Sequence, residues 1–445
     1  MTVPRIPVRG GLVVLAAAAL LGCRTVLPLL APPPSSTPSA SPSPSASATP
    51  AGATAVPAGE PVDLETIQEQ VSTVRGLYPS RPLHLEVLAP PALRQHVETD
   101  FLAGYTPEQA ADDVRVLSLF GLLDPDFDLL GFYRDFYNEQ VAGYYDSLAD
   151  TMYVVGTTWG GAERLTYAHE YVHALQDQAY DLEGGLGYSD EACLTDSERC
   201  QALLALLEGD ASLAEEQWWQ AYATEQDSND LRQAVESYRG QVFDSAPAYL
   251  QQDFLFPYVQ GLDFVRALFR RGGWAAVDAA YHSPPTTTEV ILHPELYGKA
   301  VPLPVDLARA APPAGGWNLL QAGVLGEWTT YLVLGQQVPE GQAARAAAGW
   351  GGDAYRAYHD GNRTALVLLT RWDTARDAFE FVDAFQAYAA ARFGQRTTQA
   401  AERRWTWDDG SVLLERAYDQ TLWVLAPDEA TQRAIRQSVE FPVPR

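Results

Sequence analysis

Residues 165–178 read Leu165-Thr-Tyr-Ala-His169-Glu170-Tyr-Val-His173-Ala-Leu-Gln-Asp177-Gln178. Apolar side chains recur at helical spacing through this stretch, which predicts a helix over about 162–178. Residues four apart lie on one face of a helix, so His169 and His173 can direct their imidazole rings at one metal ion. Glu170 lies beside that face, where a carboxylate can accept a proton from a water molecule that the ion activates. The alternative is a helix whose two histidines are satisfied by neighbours on its inner face.

A catalytic zinc site needs a third protein ligand and one open position. The best candidate is Glu208, in Ala205-Leu-Leu-Glu208-Gly-Asp-Ala-Ser212, because it lies on the apolar face of a predicted helix. A buried carboxylate requires a partner, and a metal ion is one. Gly209 would let a second helix approach closely, and Asp210 and Asp177 are candidates to accept a hydrogen bond from the outer N–H of a histidine. The alternative for each of the three acids is an exposed position on its helix.

The H-E-x-x-H pattern followed by a glutamate on a later helix resembles the gluzincin clan of zinc metallopeptidases, to which thermolysin belongs. The surrounding sequence, over about residues 140–300, resembles uncharacterised exported bacterial metallopeptidases. The resemblance implies that His169, His173 and Glu208 hold Zn²⁺ and that Glu170 is the general base for hydrolysis of a peptide or protein substrate. The chain departs from the pattern in two ways. The interval between His173 and Glu208 is 34 residues, and a serine, not an acid, is the fourth residue after Glu208.

The same resemblance requires a hydrogen-bond donor for the oxyanion and an edge strand for the substrate. His293, in Ile291-Leu-His-Pro-Glu-Leu-Tyr297, is the leading candidate donor, with Tyr297 second and Tyr258 a weaker third. Thr151 to Val155 is expected to be the antiparallel edge strand beside the metal, to which an extended peptide could add. The alternative is a hairpin that lies wholly within the core.

The N-terminal residues 1–22 are predicted to be an export signal, with Arg5 and Arg9 before an apolar run that is too short to span a membrane. The run ends in Leu20-Leu-Gly-Cys23, which resembles the lipobox of bacterial lipoproteins and implies that Cys23 carries lipid. Residues 23–61 are rich in Pro, Ser and Ala and predict an extended linker. We therefore expect an extracytoplasmic protein of the bacterial cell envelope that is anchored to the membrane. The alternative is an ordinary signal peptide with an unmodified cysteine.

Cys193 and Cys200 are the other two cysteines of the chain. An exported protein reaches an oxidising compartment, where a pair in a short polar segment is predicted to form a disulfide. The alternative is two free surface thiols. No histidine lies between them, so a cysteine metal site is disfavoured.

The composition is that of a globular protein, with 445 residues of which 47% are hydrophobic. A net charge of −27 disfavours nucleic acid as a partner. Mixed helices and strands without regular alternation predict an α+β fold. Within it we expect a mostly helical zincin-like catalytic domain with a small antiparallel sheet over 62–315, and an α+β lobe over 316–445 with a packing or substrate-binding role. Two other functions stay open: a non-catalytic zincin-shaped lipoprotein for binding or envelope assembly, and a zinc amidase acting on cell-wall peptides.

Overall fold

The computed structural model describes residues 11–15, 64–155, 159–312, 314–394, 396–399, 402–407 and 410–442. The predicted lipid anchor Cys23, the linker and most of the predicted signal peptide lie outside these ranges. No helix within the described ranges is long and apolar enough to cross a membrane. The described residues form an α+β fold, as the sequence predicts.

The N-terminal part of the fold is mostly helical. Its helices are α1 (Leu64–Arg75), α2 (Pro90–His96), α3 (Pro107–Phe120), α4 (Leu129–Gln140), α5 (Gly161–Tyr180), α6 (Asp190–Thr195), α7 (Ser197–Tyr222), α8 (Glu225–Ser237), α9 (Gln241–Ser245), α10 (Ala248–Gly272), α11 (Trp274–His282) and α12 (Thr288–Leu292). A π-helical turn, Val97–Phe101, follows α2. The predicted helix over 162–178 is α5, and the helix that carries Glu208 is α7.

A four-stranded sheet supports α5. Its strands are β1 (Gly11–Leu15), β2 (His84–Leu88), β3 (Val141–Asp146) and β4 (Thr151–Val155), in the spatial order β1-β3-β4-β2. The hairpin of β3 and β4 is antiparallel as expected, but β2 pairs with β4 in parallel, so the sheet is mixed. β4 therefore lies inside the sheet, and the expectation that it is the edge strand is wrong. The strand on the other side of the hairpin is β3, which pairs with β1.

One face of this sheet packs against α5. Side chains alternate between faces along a strand, and Tyr145, Met152 and Val154 join the same buried cluster as Tyr171 and Val172 of α5. Between Val141 and Tyr145 the strand has a glycine at position 143. A Cβ built there would lie 2.9 Å from Thr166 Cγ2 and 3.6 Å from Glu170 Cγ. Gly143 therefore lets the backbone of β3 pass close to the segment of α5 that carries the H-E-x-x-H pattern.

The two cysteines lie at the junction of α6 and α7. The Sγ atoms of Cys193 and Cys200 are 2.05 Å apart, which is disulfide bonding distance. The pair joins the short helix α6 to the first turn of α7.

The C-terminal part is a seven-stranded sheet with helices packed on it. Its strands are β5 (Asn318–Gly323), β6 (Trp350–His359), β7 (Thr364–Trp372), β8 (Arg396–Gln399), β9 (Glu402–Trp407), β10 (Gly410–Ala417) and β11 (Gln420–Ala426). They lie in the order β5-β6-β7-β11-β10-β9-β8, and every pairing is antiparallel. The helices are α13 (Gly326–Gly335), α14 (Glu340–Ala347), α15 (Ala375–Phe393) and α16 (Glu429–Ser438).

The two parts share one hydrophobic core. The ring of Phe120, at the end of α3, makes edge contacts with Tyr355 of β6 and Trp423 of β11 at centroid distances of 5.7 Å. The Tyr388 hydroxyl of α15 donates a hydrogen bond of 2.9 Å to the Phe120 carbonyl oxygen. The C-terminal lobe therefore packs directly on the helical part that carries the H-E-x-x-H pattern.

Candidate metal centre

Two helices that cross closely bring the candidate residues together. A Cβ built on Gly209 of α7 would lie 2.2 Å from the Gly261 carbonyl oxygen of α10, and one built on Gly261 would lie 2.2 Å from the Ala205 carbonyl oxygen. The absence of side chains at both positions allows the two backbones to touch. The prediction that Gly209 permits a close helix approach is confirmed. The crossing fixes α7, and with it Glu208, against the core.

His169, His173 and Glu208 form a buried cluster. Among the described residues it is the one group of three or more metal-ligating side chains whose ligand atoms all lie within 4.8 Å of one another. Glu208 Oε2 lies 3.1 Å from His169 Nε2 and 3.4 Å from His173 Nε2. Zinc binds such atoms at about 2.0–2.2 Å, so neighbouring ligands of a tetrahedral ion lie about 3.3 Å apart. The separations and the N, N, O donor set therefore fit zinc.

The outer nitrogen of His169, Nδ1, contacts a carboxylate that is not among the predicted site residues. His169 Nδ1 lies 2.6 Å from Glu215 Oε2. An ionised carboxylate only accepts hydrogen bonds, so Nδ1 carries a proton. Nε2, which lies 3.1 Å from Glu208 Oε2, is the ring nitrogen that can bind a metal ion once its own proton is released. Glu215 follows Glu208 by seven residues, which is about two helical turns, and this spacing on a shared face was the available sequence signal.

The outer nitrogen of His173 is held by an amide. His173 Nδ1 lies 2.9 Å from Gln176 Oε1, and Gln176 Nε2 donates 3.0 Å hydrogen bonds to Asp210 Oδ2 and to the Leu207 carbonyl oxygen. Asp210 therefore acts on His173 through Gln176, and not by the direct hydrogen bond that the sequence predicted. Nε2 of His173 is buried and makes no hydrogen bond within the described part of the chain.

The electrostatics of the cluster favour a cation at its centre. Burial lowers the pKa of His169, but its hydrogen bonds with Glu208 and Glu215 outweigh burial and raise the pKa to about 10. Burial raises the pKa of Glu208, yet His173 and His169 lower it to about 2. With both Nδ1 atoms committed to acceptors, the Nε2 atoms of the two histidines face the Glu208 carboxylate, and the raised pKa of His169 reflects a proton held between them. Three buried acceptors require a proton or a metal ion between them.

Asp177 does not reach either histidine. Its Oδ2 atom accepts hydrogen bonds of 3.0 Å from Arg81 and from the Tyr145 hydroxyl, and its Oδ1 atom accepts one from the Leu182 amide. The expectation that Asp177 orients a histidine is therefore wrong. Asp177 shares the helix face of His173 but lies about 6 Å farther along the axis, where Arg81 and Tyr145 bind it.

His293 and Tyr297 are engaged away from the cluster. His293 Nε2 lies 2.8 Å from Glu327 Oε1, and the Tyr297 hydroxyl donates to the Ser283 carbonyl oxygen at 2.6 Å. The segment before His293 contacts the start of α7, where the Thr288 amide donates to Glu198. Glu198 precedes Glu208 by ten residues, or about 15 Å of helix. Both side chains are therefore engaged by partners outside the cluster, and the assignment of either residue as oxyanion donor stays a prediction.

Tyr258, the third candidate, lies beside the cluster. Its ring centroid is 6.4 Å from that of His169, and its side chain is half-buried. It lies on α10, one turn before Gly261, so the close helix crossing also positions this tyrosine. A phenol at this place can donate a hydrogen bond to an oxygen bound near the histidines.

Residues 308–436 match a family described as a domain of unknown function, DUF8575. No curated protein and no solved structure matches the chain. The matched range corresponds to most of the C-terminal lobe. The histidines, Glu170 and Glu208 all precede it, so the family match makes no statement about the candidate metal centre.

Proposed function

We propose that this chain is a zinc-dependent peptidase of the cell envelope, anchored to a membrane through lipid on Cys23. The observation that carries the proposal is the convergence of His169 Nε2, His173 Nε2 and Glu208 Oε2 in a buried cluster whose outer hydrogen bonds engage the other ring nitrogens and turn these three atoms toward one point. Few ions bind two imidazole nitrogens and one carboxylate oxygen in a buried protein site, and a divalent zinc ion matches these donors. When bound, zinc acts as a Lewis acid that acidifies water and polarises a carbonyl group.

Glu170 is the proposed general base. It follows His169 in the helix and is fully buried, with its side chain near the backbone of β3 at Gly143. A carboxylate there can accept the proton of the attacking water and deliver it to the leaving amine.

The proposed substrate is an extended peptide that pairs with β3. Gly11–Leu15 pairs with this strand in the antiparallel direction, with Val14 opposite Gly143. Cleavage of the predicted signal peptide would remove Gly11–Leu15 and leave β3 as the edge of the sheet. Main-chain hydrogen bonds to such an edge hold a peptide independently of its sequence. A peptide on this edge would run past Gly143, next to Glu170.

Tyr258 is the proposed donor to the oxyanion. Its position beside His169 is the supporting observation. A donor aimed at charge that develops in the transition state typically contributes about 10²–10³ in kcat.

The test is peptide hydrolysis by the full chain with one equivalent of zinc. Glu170→Gln is expected to keep the zinc and to lower hydrolysis by about 10²–10⁴-fold, because only proton transfer is lost. His169→Ala is expected to lose both zinc and activity. Equal hydrolysis by Glu170→Gln and wild type would refute Glu170 as the general base, and the absence of hydrolysis by the zinc-loaded wild type would favour the non-catalytic alternative. Cleavage of cell-wall peptides but of no ordinary peptide would favour the amidase.

A further inference from the structure

Behind His173 lies a buried network that joins four helices. The Asp210 carboxylate of α7 accepts two hydrogen bonds from Arg75 of α1, at 2.6 and 3.0 Å. It also accepts one from the Tyr281 hydroxyl of α11 at 2.6 Å and one from Gln176 Nε2 of α5 at 3.0 Å. Arg75, Asp210 and Gln176 are all fully buried. Asp210 is therefore the shared acceptor of all three donors in this network.

Arg75 is itself held in place. Its guanidinium lies over the Trp274 ring, 4.5 Å from the centroid, and its Nη2 atom is 2.8 Å from Asp278 Oδ1. A bidentate guanidinium fixes the plane of the carboxylate that it pairs with. The orientation of the Asp210 carboxylate is therefore fixed, and its Oδ2 atom faces Gln176 Nε2.

This arrangement permits one orientation of the Gln176 amide. Its nitrogen donates to two groups, the Asp210 carboxylate and the Leu207 carbonyl oxygen, which can only accept. A flipped amide would set its oxygen against both acceptors and leave them without a donor, which is costly for buried groups. The amide oxygen must therefore face His173 Nδ1, at 2.9 Å.

We propose that Gln176 is a positioning residue that sets the tautomer of His173. Arg75 of helix α1 supports this role because it fixes Asp210, the acceptor that orients the Gln176 amide. An oxygen at this position accepts only from a protonated Nδ1, so Nε2 is left with its lone pair toward Glu208 and His169. The opposite tautomer would direct an N–H into the cluster and prevent ligation. The inference deepens the proposed function, because it rests on zinc at this site.

The first experiment measures zinc affinity of the full chain by chelator competition. Gln176→Met removes the acceptor at nearly constant length and is expected to lower the affinity about 10–100-fold, the usual cost of losing a group that orients a metal ligand. Gln178→Met is the matched control, since Gln178 lies on the same helix but accepts from the Ser80 and Arg81 amides. Wild-type affinity in Gln176→Met, or an equal loss in Gln178→Met, would overturn the proposal.

The second experiment reads the tautomer directly and needs no metal or activity. Nitrogen–proton correlation spectra of ¹⁵N-histidine-labelled, metal-free wild-type chain should show a proton on Nδ1 of His173. A proton on Nε2 alone would overturn the proposal, even if the methionine variant does not fold. Failure of the wild type to bind zinc would count against the proposed function alone, because the tautomer measurement decides the role of Gln176 independently.

Discussion

Replacing Gly209 by alanine perturbs the helix crossing that holds Glu208 and Tyr258 in place. The new Cβ would lie 2.2 Å from the Gly261 carbonyl oxygen and 2.8 Å from the Leu262 amide nitrogen. Ordinary contact needs about 3.5 Å, so α7 and α10 must separate by about 1 Å. Both contacts are with backbone, which cannot rotate away. Overpacking a protein core typically lowers the free energy of unfolding by about 1–3 kcal/mol, and the loss here is expected at the upper end of that range.

Alanine also improves helix propensity over glycine by about 1 kcal/mol, which leaves a net loss of about 2 kcal/mol in the free energy of unfolding. With an unfolding entropy of about 2.1 cal/mol/K per residue over ~380 folded residues, the thermal midpoint should fall by about 2–3 °C. The assay is thermal unfolding of the metal-free chain. The control is Gly341→Ala, at an exposed position of α14, where the new Cβ meets only Arg345 at 3.6 Å. The thermal midpoint of this variant should not fall. A Gly209→Ala variant as stable as wild type would refute the close crossing.

Three further predictions concern the site and its surroundings. Tyr258→Phe should lower kcat for peptide hydrolysis by about 10²–10³-fold with zinc affinity unchanged, and an unchanged kcat would exclude Tyr258 as the oxyanion donor. Zinc must displace the proton of His169, so zinc affinity should rise with pH up to the pKa of about 10. Glu215→Gln should lower the pH at which zinc affinity stops rising. Glu216→Gln is the control, because Glu216 pairs with Arg266, and it should leave that pH unchanged. Burial raises the pKa of Asp113 from 3.8 to about 7. Its folded state therefore holds a proton that the unfolded state has released, and stability falls as pH rises between these values, by at most about 4 kcal/mol. Asp113→Asn should flatten the thermal midpoint over pH 5–8 relative to wild type, and a parallel profile would contradict the shift.

The sequence predicted the convergence of His169, His173 and Glu208 because its signals are local. His169 and His173 are four residues apart on one helix, and Glu208 lies on the apolar face of another. Helical periodicity suffices to orient all three. Glu215 lies on the helix face of Glu208, so the same periodicity also places it beside His169. Gln176 was not predictable, since its role depends on a contact with α7 that no spacing reveals.

The errors in the fold come from contacts between distant segments. The apolar spacing of residues 318–335 is typical of one helix, but Asn318–Gly323 is a strand because it pairs with β6. The first residues of β6, Trp350-Gly-Gly-Asp353, are typical of a turn, yet they belong to the strand. A Cβ on Gly352 would lie 2.2 Å from the Leu303 carbonyl oxygen, so glycine there serves a close backbone approach within a strand. The parallel pairing of β2 with β4, which moves the edge of the small sheet to the other side of the hairpin, likewise has no local signal.

The convergence of His169, His173 and Glu208 on one ion is tested most directly by metal content. Mass spectrometry of the purified full chain, before and after reconstitution with zinc, should give one zinc per chain for wild type. Glu208→Ala should bind zinc far more weakly because one of the three acceptor atoms is gone. A wild-type chain that holds no zinc after reconstitution, or a Glu208→Ala chain that binds zinc as tightly as wild type, would contradict the assignment.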